Sequence, residues 1–199
     1  MARQKLSAER RVAELALQLG RAAYGESSAA SLTPAQWMAL RFFARANRFS
    51  RTVSAFAEFH STTRGTASQT VKSLVERGFL TRVRSTRDGR SATFNLTDKA
   101  RRQLARDPFE AVVDAANTLT PAQRDRTASG LRLMLHRLSV ERERPVPGIC
   151  TLCGHLSGCS DTGFTCRLMH EPLTAAELEQ LCVHCKDCGA GGREKPARR

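Results

Sequence analysis

All seven cysteines of this 199-residue chain fall between Cys150 and Cys188, and residues 1–149 contain none. They come as Cys150, Cys153, Cys159, Cys166, Cys182, Cys185 and Cys188, with His155, His170 and His184 interspersed. Cys150 and Cys153 followed by Gly154, and Cys185 and Cys188 followed by Gly189, each have the CxxC-Gly form of a metal knuckle, in which successive backbone amides point at the sulfurs. Two knuckles supply the four thiolates of a closed tetrahedral zinc site, whose binding energy would fold a segment too small to fold itself. Zinc alone leaves Cys159, Cys166 and Cys182 unused. The spacings 150-153-159 and 182-185-188 also suit an iron–sulfur cluster. The cluster is the leading expectation, with all seven cysteines as candidate ligands; zinc is the alternative, and a metal-free thiol switch is a third.

Compartment and charge narrow the field. The N-terminal stretch alternates charged and apolar residues without an apolar core or a cleavage signature, and no run approaches the roughly 20 apolar residues of a membrane helix, so a cytoplasmic protein without membrane partners is expected. In a reducing cytosol, clustered thiols hold a metal more readily than a disulfide framework, and an odd count leaves one thiol unpaired. Lys plus Arg outnumber Asp plus Glu by 32 to 19, for a net charge of +13, with Arg greatly in excess of Lys. Arginine pairs bidentately with phosphate, which favours a polyanionic partner.

The elements that must position these groups follow from periodicity and caps. Val12, Leu15, Ala16 and Leu19 form the stripe of an amphipathic helix ending near Tyr24. Thr33, Pro34 and Gln36 open a second helix to about Ala46 with Trp37, Leu40 and Phe43 inward, and Thr120, Pro121 and Gln123 repeat the same start signal. A short third helix is expected over Val53 to Phe59, then a fourth over Thr62 to Arg77, capped by Ser61 and stopped by Gly78. Its buried stripe is Ala67, Val71, Leu74 and Val75; its opposite face is polar, with Thr62, Gly65, Thr66, Gln69, Lys72 and Ser73. Two alternating segments, Phe79 to Ser85 and Ala92 to Leu96, flank Asp88 and Gly89, a hairpin signal with an arginine-rich tip. A fifth helix runs from Thr97 to about Leu119, broken or bent at Asp107 and Pro108, and a sixth carries Leu131, Met134, Leu135 and Leu138. Both long helices carry more apolar surface than one small core obviously uses, which suggests a dimer interface, with ordinary packing within the chain as the alternative. In the tail, Thr174 and Glu177 form a capping box, and Leu178, Leu181, Cys182 and Cys185 recur at helical spacing, so a short helix would present Cys182 and Cys185 on its packed face.

Helix, short helix, polar-faced helix and arginine-tipped hairpin are the order of a winged helix-turn-helix. With Gly65 to Ser68 opening the recognition helix, Leu74 to Leu80 closing it, and Asp88, Gly89, Arg90 and Phe94 to Asp98 at the wing, residues 6–140 resemble a MarR-type transcriptional regulator. The fold class is therefore mainly α with a small β wing: a winged helix with long dimerisation helices over 1–144, a small cysteine-rich metal or iron–sulfur segment over 145–190, and a basic flexible tail over 191–199.

The resemblance implies a homodimer whose first, fifth and sixth helices interlock, with two recognition helices in successive major grooves of a palindromic double-stranded DNA site. Members are usually repressors released by a small-molecule effector or by oxidation, and no catalytic set is present. On the DNA-binding face, Gln69 can read adenine bidentately, Thr62, Thr66 and Ser73 can bond bases or phosphates, and Lys72 can neutralise phosphate or contact guanine. Thr63, Arg64, Gly65, Ser68 and Arg84 complete that face, and Arg90 and Arg87 enter the minor groove with Asp88 orienting the wing in the family manner. MarR-type proteins generally lack the cysteine tail. Its 150–159 run and the stretch around His184 to Cys188 are similar to pieces of FNR-type oxygen sensors, but in another order, so no ligand set carries over.

Overall fold

The computed structural model describes residues 7–24, 32–84, 92–142 and 147–186. Its first part is α1 (Ala8–Ala22), α2 (Pro34–Arg45), α3 (Val53–Phe59), α4 (Arg64–Glu76), the antiparallel hairpin β1 (Leu80–Arg84) and β2 (Ala92–Leu96), α5 (Asp98–Leu104), α6 (Glu110–Asn117) and α7 (Pro121–Glu141). The second part is small: β3 (Gly148–Ile149), a 3₁₀ turn over Cys150–Leu152, β4 (Leu156–Cys159), β5 (Gly163–Cys166), β6 (Glu171–Leu173), α8 (Ala175–Leu178) and β7 (Leu181–Cys182). Strands β4, β5 and β6 form an antiparallel sheet, and β3 pairs with β7.

Helix α2 is the beam of the module. Thr33 and Gln36 close the expected capping box, and the helix buries Trp37, Ala39, Leu40, Phe42 and Phe43, each large side chain contributing about 1.5–3 kcal/mol. Gln36 also reaches α4: its Nε2 donates to Ser73 Oγ at 3.0 Å, and its Oε1 accepts from Arg77 at 2.7 Å. At the far side of α2, Arg41 grips Asp107 bidentately (2.8 and 2.5 Å), donates to the Ala23 carbonyl, and lies over the rings of Tyr24, Trp37 and Phe109. Asp107 also accepts from the Phe109 N–H, which fixes the break between α5 and α6 where proline was expected to produce one.

Helix α4 is capped by Thr63, whose Oγ1 accepts from the Thr66 N–H at 3.1 Å. The expected cap, Ser61, instead adopts φ +54° in the turn after α3, and Gly78, at φ +73°, ends the helix as its lack of a Cβ allows. The long helices leave their stripes uncovered: α1 and α7 bury no residue, with Leu15 59% and Leu135 63% exposed.

The cysteine-rich segment departs from expectation. The capping box at Thr174 and Glu177 forms, but α8 stops at Leu178, and Leu181 and Cys182 are extended, paired with Ile149 and Gly148. Backbone pairing overrides the helical spacing because β7 has two partners: Leu181 also bridges Ala46 in parallel, and its carbonyl accepts from the Asn47 N–H at 2.9 Å. Leu181 and Val183 belong to the same core as Phe43 and Leu80. The composition break near residue 145 is therefore not a break in the core. Arg48 strengthens the dock with ion pairs to Glu177 and Glu171.

His60 packs edge-on against Phe42, Phe56 and Phe59, with its Nε2 buried and unpartnered among the described residues. Burial lowers its pKa from 6.5 to about 4, opposed by a hydrogen bond to the Met38 backbone.

Two outcomes follow. Val183→Ala should cost about 1–3 kcal/mol in urea unfolding, and the whole protein should unfold in one transition; a separate early transition of the tail would show that the dock is not part of the core. Because the folded state binds the His60 proton less readily than the unfolded chain, stability should be complete above pH 6.5 and fall as pH drops toward 4. Because the ring is only half-buried, the loss should be on the order of 1–2 kcal/mol and should be absent in His60→Phe. A slope retained in that variant would assign it to other groups.

Candidate nucleic-acid interface and cysteine cluster

The outer face of α4 assembles most of the expected DNA-contacting residues. Thr63, Arg64, Gly65, Thr66, Ser68, Gln69 and Lys72 are exposed on it, while Ala67, Val71 and Leu74 anchor the opposite face in the core. Lys72 pairs with Glu76 at 3.8 Å across an exposed turn, an interaction weak enough for phosphate to displace. Thr63 and Thr66 share a hydroxyl hydrogen bond of 2.8 Å. Thr62 is half-buried, and Ser73 turns toward α2, where its hydroxyl accepts from Gln36. Ser73 therefore positions the helix rather than presenting a free group on its outer face.

Arg84 lies exposed at the end of β1; Arg87, Asp88 and Arg90 fall outside the described residues. The hairpin is held to the module by Arg51, which donates to Asn95 Oδ1 at 3.2 Å and to the Ala46 carbonyl at 2.9 Å, and whose own carbonyl accepts from Phe94. Thr97 caps α5 and donates to the Gly78 carbonyl, tying the base of the wing to the end of α4. The winged-helix surface is thus a rigid polar face with positive charge, of the kind that enters a major groove.

Four of the thiols gather at the corner after α2. Cys150 and Cys182 are buried, Cys153 and Cys166 half-buried, and Cys150 feels the other three electrostatically. Burial, then Cys182, Cys153 and Cys166, pushes the Cys150 pKa to about 11, against a lowering effect of Asn47. Burial likewise raises Cys182, opposed by Asn47, the His184 backbone and Ser50. Cys153 Sγ accepts two backbone N–H groups, from His155 and Lys186, both at 3.4 Å, and the Gly154 N–H donates to the Lys186 carbonyl at 2.8 Å, so residues 153–155 rest against Lys186. Cys185 is disulfide-bonded and Cys188 lies outside the described residues.

Cys159 does not join this group. Cys166 pairs with Leu156, three residues up the strand, which places Cys159 about 10 Å away at an exposed hairpin tip. There the Thr162 hydroxyl and backbone lower its pKa. Among the described residues no three Cys, His, Asp or Glu side chains converge closely enough to hold a metal as they stand. Nor is any helix of those residues long and apolar enough to cross a membrane.

The sequence profile of the MarR family matches residues 30–91, from the approach to α2 through the wing. None of the curated proteins matches the chain. Among solved structures the fold is similar to that of Staphylococcus aureus MepR in a DNA complex, with 15% identity, 67% of this chain and 99% of that chain covered, and a TM-score of 0.53. It is similar also to the transcriptional regulator SlyA, with 21% identity, 69% and 98% covered, and a TM-score of 0.54. At such identities the likeness bears on the fold, and about a third of this chain has no counterpart in either. Residues 30–91, set in a mainly helical winged-helix fold, match the MarR family.

Proposed function

We propose that this chain is a cytoplasmic, homodimeric transcriptional repressor that binds a palindromic site in double-stranded DNA. Its cysteine-rich segment holds an iron–sulfur cluster through which redox state, oxygen or iron–sulfur status acts on DNA binding. The MarR family consists of DNA-binding transcription factors and not enzymes, and the MepR neighbour was solved on DNA. The observation that carries the reading is the α4 face: seven exposed polar or small residues on a helix whose other side is locked into the core. Dimerisation is supported by the apolar groups that α1 and α7 leave in solvent, among them Val12, Leu15, Leu19, Leu133, Leu135 and Leu138.

The cluster reading rests on the electrostatic coupling of Cys150 to Cys182, Cys153 and Cys166 and on the two backbone N–H groups aimed at the Cys153 sulfur. Cys185 joins such a site only after reduction of its disulfide, which gives oxidation a direct route to the ligands. A zinc-held structural tail is the second reading, favoured by the same knuckle and by the burial of Val183 in the winged-helix core.

Two experiments test these parts separately. Gln69→Ala should weaken binding to the operator by about 1–3 kcal/mol and leave binding to unrelated DNA nearly intact, as read by anisotropy titration; equal loss on both DNAs would remove Gln69 from base reading. Protein purified without oxygen should be brown, contain iron and acid-labile sulfide in comparable amounts, and bleach in air with a change in operator affinity of about 1–3 kcal/mol. Colourless protein with stoichiometric zinc and the same affinity in air and nitrogen would establish the structural tail instead.

A further inference from the structure

The cysteine cluster has a wall that does not come from the cysteine-rich segment. The corner after α2, residues 46–50, lies beneath β7, and Asn47 and Ser50 within it are both 0% exposed. Asn47 is fixed in orientation: its backbone N–H donates to the Leu181 carbonyl, and its Oδ1 accepts from the Ser50 N–H at 3.0 Å. Ser50 Oγ in turn accepts from the Val183 N–H at 3.1 Å. The residues on both sides of Cys182 are therefore fastened to this corner, and β3–β7 pairing brings Cys150 alongside.

With Oδ1 committed, Asn47 Nδ2 must point the other way. It is buried without a hydrogen-bond partner among the described residues, and the groups that feel it are the sulfurs of Cys150 and Cys182. A buried amide left unpaired costs about 1–3 kcal/mol, and a neutral thiol is a weak acceptor. A metal-bound thiolate carries charge and accepts strongly.

We propose that Asn47, a residue of the DNA-binding module, is a positioning residue of the metal site, donating its side-chain N–H to the metal-bound thiolates of Cys150 and Cys182. The site is then shared between the two parts of the chain, and this deepens the metal-centre reading, on which it rests. Its consequence for regulation is local. The corner leads through Thr52, which caps α3 and donates its N–H to the Ser50 carbonyl, to the helix packed on α4; Arg51 joins the same corner to the wing. Metal occupancy therefore acts on the recognition helix through α3 and the wing, and DNA binding must alter metal affinity by the same factor.

The test uses the full-length chain, reduced and loaded with ¹¹³Cd²⁺, a spectroscopic stand-in for a thiolate-bound metal. The Asn47 side-chain NH₂ resonances should shift downfield on loading and acquire scalar coupling to cadmium, which a merely nearby amide does not show. In parallel, Asn47→Asp keeps the acceptor for Ser50 and removes the donor. It should weaken metal binding about 10–100-fold in competition with a chelator, at unchanged helix content by circular dichroism. Cadmium bound by all the cluster thiols with the Asn47 resonances unmoved would overturn this assignment alone, even if the variant fails to fold. A reduced chain that takes up no metal would overturn the metal reading and this assignment with it.

Discussion

Four consecutive residues at the end of α2, Asn47 to Ser50, hold the two parts of this chain in one register. Their hydrogen bonds to Leu181 and Val183 are buried, so each is expensive to break without replacement. They also discriminate among alternatives. A slip of β7 by one residue would turn Val183 out of the core and Cys182 into it, and would leave both polar side chains without partners. An apolar contact of the same area would tolerate such a slip. The polar corner does not, and the placement of Cys182 follows from it.

Helix α2 carries a comparable clamp at each functional boundary. Arg41 collects α1 and the α5–α6 junction through Asp107, Ala23 and three aromatic rings. Gln36 collects α4 through Ser73 and Arg77. Helix α4, the end of α1 and the α5–α6 junction thus take their positions from one twelve-residue helix, and the sulfur-rich segment from the corner that follows it. Movement imposed on any one of them is transmitted through packed side chains and short hydrogen bonds rather than through a flexible linker.

What was legible in the sequence is what local rules determine. The span of α3, the capping boxes at Thr33, Thr120 and Thr174, the stop at Gly78 and the break at Pro108 each depend on residues within one or two turns. The outward face of α4 was legible too, because its inner stripe is strictly periodic. Illegible were the features set by partners far away in the chain. Leu178, Leu181, Cys182 and Cys185 have helical spacing, yet extended backbone wins at β7 because it can pair with β3 and with Ala46. Ser73 read as a DNA-facing hydroxyl until Gln36, 37 residues earlier, was brought against it. Asn47 carried no signal at all, since one asparagine after a helix is an ordinary stop and its meaning lies in the sulfurs it meets.

The bond between Ser50 and Val183 closes 133 residues of chain. Synthesis proceeds from the N-terminus, so when the winged helix has emerged from the ribosome its α2–α3 corner still lacks the strand that covers it. A nascent chain therefore holds an incomplete core, with Phe43 and Leu80 waiting for Leu181 and Val183. Long-range closure of this kind is slow compared with helix formation. The winged-helix core of this protein is complete only once the cysteine segment has been made.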